Sequence, residues 1–189
     1  MRLGIVGRPL GRRTGASTQN EETIVAAADI FLTIKGPDIQ GESLDKVHTN
    51  MIECLSFNWG ESNLGSAGTG GGAGAGAVVK QDLTITKYVD KASNVLAQGC
   101  AAGVHYTSAS LYVRKSGGDP LDYLQFDLGG VVFVSGYNLG GIGGDGIVPT
   151  ETVTLNFTTL MMTYNQQAAT GAGAGAAPLG YHYGESTKL

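Results

Sequence analysis

With 189 residues, 31 of them glycine, and a formal net charge of −4, the chain has the length of one domain but a charged fraction of only 15%, against a usual value of about 25%. The negative balance argues against nucleic acid, whose phosphates require clustered Lys and Arg, and no run approaches the roughly 18 apolar residues of a membrane helix, so membrane insertion is not expected. Cys54 and Cys100 are too few and too far apart for a disulfide framework or a paired-ligand zinc site, and are expected as buried free thiols.

The first segment carries Arg2, Arg8, Arg12 and Arg13 with no apolar stretch of about 7–15 residues behind them, so it does not read as a signal peptide. The chain is therefore expected to be made and folded in a cytoplasm. Residues 1–28 show neither strand nor helix periodicity and are read as an N-terminal extension, disordered or absent from the native protein. A GTG start codon at Val25, behind purine-rich codons for Glu21 and Glu22, accounts for the second case.

From Asp29 onward period-2 segments separated by turn residues predict an all-β domain over 29–189. Ile30, Leu32 and Ile34 share one face of the first strand. Leu55, Phe57 and Trp59 share a face of the second, and Leu83 and Ile85, with Val89, a face of the third. Leu111 and Val113 mark a fourth strand and Leu124, Phe126 and Leu128 a fifth, while Val131 to Val134 reads as buried on both faces. In the last long strand Val153, Leu155 and Phe157 alternate with polar residues, after which Leu160, Met162 and Tyr164 are the bulky members. A bulge near Thr158 and Thr159, or burial of both faces, produces such a change of phase.

One segment breaks the pattern. Ser93 is read as the cap of a helix over 94–102, with Leu96, Gly99, Cys100 and Gly103 at helical spacing and Gly103 as a left-handed stop. Glycine-rich stretches at 62–77, 138–146 and 170–177 are read as two loops and a linker before a short terminal strand.

Several motifs invite a chemical reading. Gly141 to Gly146 satisfies GxGxxG, but a strand follows where a helix would have to meet a pyrophosphate, and the single calcium-roll nonapeptide at 140–148 lacks the stacked repeats it needs. Ser43-Leu-Asp-Lys46, Ser56-Phe-Asn58 and Lys115-Ser-Gly117 imitate the elements of serine–lysine hydrolases, without an apolar helical face to set the lysine beside the hydroxyl. His48, His105 and His182 are too scattered for a metal site and are expected as structural histidines. Glu42, Asp45, Lys46 and Glu53 read as a charged cluster, exposed or paired across a subunit contact. Arg114 and Lys115 read as a solvated edge beside a hairpin turn.

Four segments taken together carry a family likeness: GESLDKVHTNMIECLSFNWG (41–60), LTITKYVDKASNVL (83–96), VHYTSASLYVRKSGG (104–118) and VTLN (153–156) running on to Tyr164. In order and spacing they resemble the Hcp family, whose members build the inner tube of bacterial type VI secretion systems. The motif residues that carry the likeness are Gly41, Glu42, Ser43, Asp45, Lys46, His48, Trp59, Lys87, Tyr88, Asp90, His105, Tyr106, Arg114 and Lys115. Asn94 stands where a proline is common at the helix start, Gln166 where a proline often follows the long strand, and Tyr181-His182 where a Trp-Asp pair is frequent.

The resemblance implies an all-β fold with one short helix, a closed barrel of two packed antiparallel sheets shared with phage tail-tube proteins. It implies a homohexameric ring that stacks into a tube inside a contractile sheath and beneath a spike protein. It further implies that effector proteins ride in the lumen and that the protein is secreted without a signal peptide. The glycine-rich segment with Ser62, Gly65, Gly68, Gly72 and Gly76 falls where that family carries a ring-stacking loop. No catalytic residue, metal or cofactor is implied. A phage-like tail tube is the alternative reading, and a serine–lysine hydrolase the third.

Overall fold

The computed structural model describes residues 28–63, 78–115, 120–144, 146, 148–167 and 173–189. The N-terminal extension up to residue 27 and four of the five expected stacking-loop residues, Gly65, Gly68, Gly72 and Gly76, lie outside these. The elements in chain order are β1 (Ala28–Lys35), β2 (Ile52–Cys54), β3 (Ser56–Asn58), β4 (Glu61–Asn63), β5 (Val78–Lys80), β6 (Leu83–Tyr88), α1 (Ser93–Ala102), β7 (His105–Tyr106), β8 (Ser108–Lys115), β9 (Leu121–Gly140), β10 (Thr150–Gln167), β11 (Gly173–His182) and β12 (Thr187–Lys188).

All pairings are antiparallel. The main sheet runs β12-β11-β10-β9-β8-β1-β2, with β6 joined to β10 and to β3, and β7 laid on β9. β1 pairs with β8 over its full length, from Ala28 opposite Lys115 to Lys35 opposite Ser108, and Ile30, Leu32 and Ile34 face the core as the alternation predicts. Leu111 and Val113 join them from β8, and Phe126 and Leu128 from β9. A mostly β domain with one short helix is therefore what the sequence encodes.

β10 serves two neighbours on one edge. Thr150 to Leu155 pairs with β6, and Thr159 to Gln167 pairs with β11. On its other edge the ladder with β9 shifts register between Phe157 and Thr159. The extra residue is on β9, whose Gly130 and Val131 together face Thr158, so the bulge meets β10 near the expected position but belongs to the neighbouring strand; along β10 Val153, Leu155 and Phe157 are buried before Thr158 and Leu160 after it, and the inward face passes from odd to even positions. Met162 continues the inward row, whereas Tyr164 is exposed. Within the bulge Gly130 takes φ of 73°, Val131 N–H donates to Thr158 Oγ1 at 3.2 Å, and a Cβ on Gly130 would lie 2.8 Å from Thr158 Cβ.

Several expectations are corrected. Leu55 is exposed, because the chain breaks there between β2, which pairs with β1, and β3, which pairs with β6; the inward residues are Ile52 and Cys54 before the break and Phe57 and Trp59 after it. The third inward residue of β6 is Lys87, and Val89 lies exposed beyond the strand end. Val131 is 44% exposed, so the run to Val134 is buried on one face only, through Val132 and Val134. Cys54 is buried and free, while Cys100 is only half-buried.

Helix α1 begins at Ser93, with Ala92 at the N-cap and no side-chain cap; the Ser93 hydroxyl instead accepts from Asp90 N–H at 2.9 Å. Gly103 is the left-handed stop, at φ 62°, and Val104 N–H reaches back to Gly99 O at 3.0 Å. Two glycine-rich stretches are more ordered than their composition suggests. β9 runs through Gly140, so the second loop starts three residues late, and 173–177 is strand, because an edge of β10 offers backbone partners that outweigh low β propensity.

Replacing Gly130 by alanine forces a Cβ into the left-handed region and against Thr158. A loss of about 1–2 kcal/mol is expected in urea unfolding, with the slope unchanged.

Candidate functional site

Some of the motif residues gather in two polar clusters. In the first, alternation along β6 turns Lys87 inward, where its side chain is wholly buried. Its ammonium donates to Asp90 Oδ1 at 2.7 Å, to Tyr88 O at 2.7 Å and to Glu151 Oε1 at 2.8 Å, which uses its three protons. Tyr137 O–H completes Glu151 by donating to Oε2 at 2.7 Å. Asp90 Oδ1 also accepts from Ala92 N–H at 2.9 Å, so the same carboxylate that holds the lysine sets the start of α1. Burial first, and the bond to Glu151 second, push the Tyr137 phenol up to about 12. Burial likewise raises the neighbouring Cys54 thiol.

The second cluster pins the segment from Gly41 to Met51. Gly41 N–H donates to Asn50 O at 2.8 Å, Asn50 N–H to Ser43 O at 2.8 Å and Ser43 N–H to Met51 O at 3.1 Å. Gly41 is required because a Cβ there would overlap the Met51 carbonyl. Asp45 accepts from the backbone N–H groups of Val47 and His48 and, through Oδ2, from Arg114 at 2.6 Å. Arg114 lies 4.9 Å above the Phe31 ring, and His48 stacks on Phe31 at 4.5 Å while its Nε2 meets Asp122 Oδ1 at 3.0 Å. The Arg114 hydrogen bond, followed by the His48 N–H, holds the Asp45 carboxyl well below the usual carboxylate range.

Two expectations about charge change accordingly. Arg114 is buried and paired inside the chain, not part of a solvated edge, and Asp45 is its partner, not a group awaiting another subunit. Lys115 stays exposed, with its ammonium 5.7 Å from the Tyr123 ring. Glu42 and Lys46 are exposed, and Glu42 Oε1 accepts from Lys91 N–H at 3.0 Å. Tyr88 is exposed where β6 ends, and His105 is exposed on β7. Tyr106 is buried with its hydroxyl against Gly99, where no Cβ would fit. Trp59 packs edge-on against Phe126.

Ser43 Oγ accepts from Asp45 N–H at 3.2 Å in a buried turn, and Lys46 points to solvent. The hydroxyl–amine contact of serine–lysine chemistry is not made among the described residues. Nor do the described residues gather three His, Cys, Asp or Glu side chains about a point.

Glu151 and Tyr137 are the members that sequence reasoning missed. Glu151 stands in phase with Val153, Leu155 and Phe157, so parity alone marks it as an inward charge needing a partner. Tyr137 is concealed by a second register shift at Thr154/Leu155.

Ser62, the described member of the expected stacking loop, lies on β4, which with β5 forms the stem of that segment. Beside the stem a cavity of about 420 Å³ is walled by Trp59, Leu160, Leu179, Tyr181 and Tyr183.

Lys87→Met strands the buried Glu151 carboxylate and deprives the half-buried Asp90 of its partner, and should cost about 3–5 kcal/mol in chemical denaturation, while Lys87→Met with Glu151→Gln should recover part of that loss. Because the Asp45 carboxyl is depressed in the folded state, its contribution is complete above the ordinary carboxylate value of about 4 and disappears as pH falls through the folded value. Asp45→Asn should flatten the dependence of the unfolding midpoint on pH between about 5 and 2.

Residues 31–164 match the family described as type VI secretion system effector, Hcp. Protein hcp1 of Pseudomonas aeruginosa is 44% identical over 147 residues, 77% of this chain and 88% of that protein. Hcp1 from Salmonella typhimurium is 33% identical, with a TM-score of 0.70 over 86% of this chain and 99% of that one. A type six secretion system protein of known structure superposes with a TM-score of 0.80 at 27% identity, over 86% of this chain and 100% of that one.

Proposed function

The chain belongs to the Hcp family of type VI secretion proteins, and from that membership we propose that six copies form a ring and that rings stack into the inner tube of the secretion machine. The tube lies within a contractile sheath beneath a spike protein, carries effector proteins in its lumen and leaves the cell without a signal peptide. Mechanism is shape and symmetry: heterologous contacts that close give the ring, and a second interface along the axis gives the stack. The observation that carries this reading is the joint match of sequence and fold to Hcp proteins over most of the chain.

The strand pairings support a closed barrel. They run from β10 through β9, β8 and β1 to β2, and from β10 through β6 to β3. β2 and β3 are consecutive around Leu55, whose N–H donates to Thr86 O on β6 at 2.7 Å, so backbone continuity joins the two ends. A charged fraction of 15% supports assembly, since few ions lose water at a contact.

Native mass spectrometry at micromolar concentration tests the ring: a six-copy species is expected, and monomer alone sinks the proposal. In negative-stain images, deleting residues 68–76 should leave the rings and remove the stacks. Fluorophosphonate and penicillin-like probes should leave Ser43 unlabelled, whereas stoichiometric labelling lost on Lys46→Ala would promote a hydrolase.

A further inference from the structure

Leu44 is 94% exposed and Val47 69%, yet the segment carrying them is held at both ends and in the middle. Its backbone bonds, the Asp45–Arg114 pair and the His48–Asp122 contact fix it against β8 and β9. An isolated exposed leucine needs no explanation. A leucine presented on pre-ordered backbone is different, because a partner that covers it meets little further ordering cost.

The complementary surface lies elsewhere on the same chain. The cavity walled by Trp59, Leu160, Leu179, Tyr181 and Tyr183 is large enough for apolar side chains, and Leu179 at its mouth is 52% exposed. The loop is anchored at Asp122, whereas the cavity lies level with Leu160, which pairs with Leu128. Six residues of strand separate those levels, about 20 Å at the usual rise. Projection and cavity are therefore different patches, which is the geometry of a heterologous contact between copies. Charge is compatible as well: the exposed Glu42 and Lys46 flank Leu44 and the exposed Glu61 and Lys188 flank the cavity, so each side carries one acid and one base and opposite signs can be paired across the contact. Ser62, Asn63 and Val78 also line the cavity, which places it at the foot of the segment assigned above to ring stacking.

We propose that Leu44 of one copy seats in this cavity of a second copy in the adjoining ring, with the loop from Gly41 to Met51 acting as a rigid projection. This rests on the ring reading above and names a contact for it.

The test is the double variant Leu44→Cys with Leu179→Cys, oxidised after assembly, beside Leu44→Asp. Both altered side chains are exposed, and unchanged far-UV circular dichroism and thermal midpoint establish that the variants fold. The double variant should give covalent species heavier than six copies that survive dilution, absent from each single variant and from rings dispersed before oxidation. Leu44→Asp should retain six-copy rings and lose stacks. Stacks that persist in Leu44→Asp, or cross-links absent or confined to six copies while rings and stacks form normally, overturn this contact and leave the ring reading standing. A parent chain that forms no ring overturns both.

Discussion

A lysine ammonium with no exposed surface dictates how one end of this fold closes. Lys87 cannot be hydrated where it lies, so its charge must be met by the protein, and each partner comes from a different part of the chain. Asp90 follows β6 directly, Glu151 opens β10, and Tyr137 reaches Glu151 from β9. Helix α1 is tied into the same arrangement through Asp90 and Ser93. Apolar burial alone would hold it weakly, because Leu96 is its one large buried side chain, beside Ser93 and Gly99. The ion network thus fixes where a helix too short to persist by itself is placed. Met or Leu could fill such a site without the cost of desolvating three charges, but neither would specify which strand, turn and helix must meet there.

β10 organises the rest. Its two halves bond different strands along one edge, and the inward face changes parity where the partner changes. The bulge of β9 at Gly130 and Val131 lies opposite Thr158, where this exchange takes place. Tyr183 N–H then bonds Thr158 O at 2.9 Å, so the chain leaving β11 is attached at the same point. One inserted residue thereby couples the inward pattern, the strand exchange and the position of the C-terminal hairpin.

Much of this was legible in the residues. Alternation located the inward faces of β1, β8 and β10, the phase change after Phe157 marked where the ladder with β9 is irregular, and Gly103 ended the helix as read. Errors arose where partners, rather than pattern, decide. Leu55 looks like a member of an alternating row, but it sits at a break where the chain exchanges β1 for β6, and no local property marks that exchange. The glycine-rich stretches at 138–140 and 173–175 look like loop, yet they are drawn into strands by an adjacent ladder. Arg114 looks like a surface charge, because its acceptors Asp45 and Asp29 are far away in sequence. Parity did make Lys87 and Glu151 readable as inward charges, and pairing them needed only the rule that buried ions are compensated.

The two polar clusters also differ in what they hold in place. The Lys87 network is internal and finished, with all three ammonium protons used and both Glu151 oxygens engaged. The Asp45–Arg114 cluster is different in kind, for it spends strong, partly buried interactions on immobilising a loop whose apolar residues point away from the core. Three hydrogen bonds to Asp45 and a glycine that admits close backbone approach hold the connection between β1 and β2 in one shape. Surfaces used for repeated identical contacts gain from such fixation, because every copy must present the same shape and each ordering cost met in advance is met for all copies. A chain with few charges and a rigid apolar projection is suited to association in register, in which fixed shape sets the geometry and sparse charge keeps desolvation cheap.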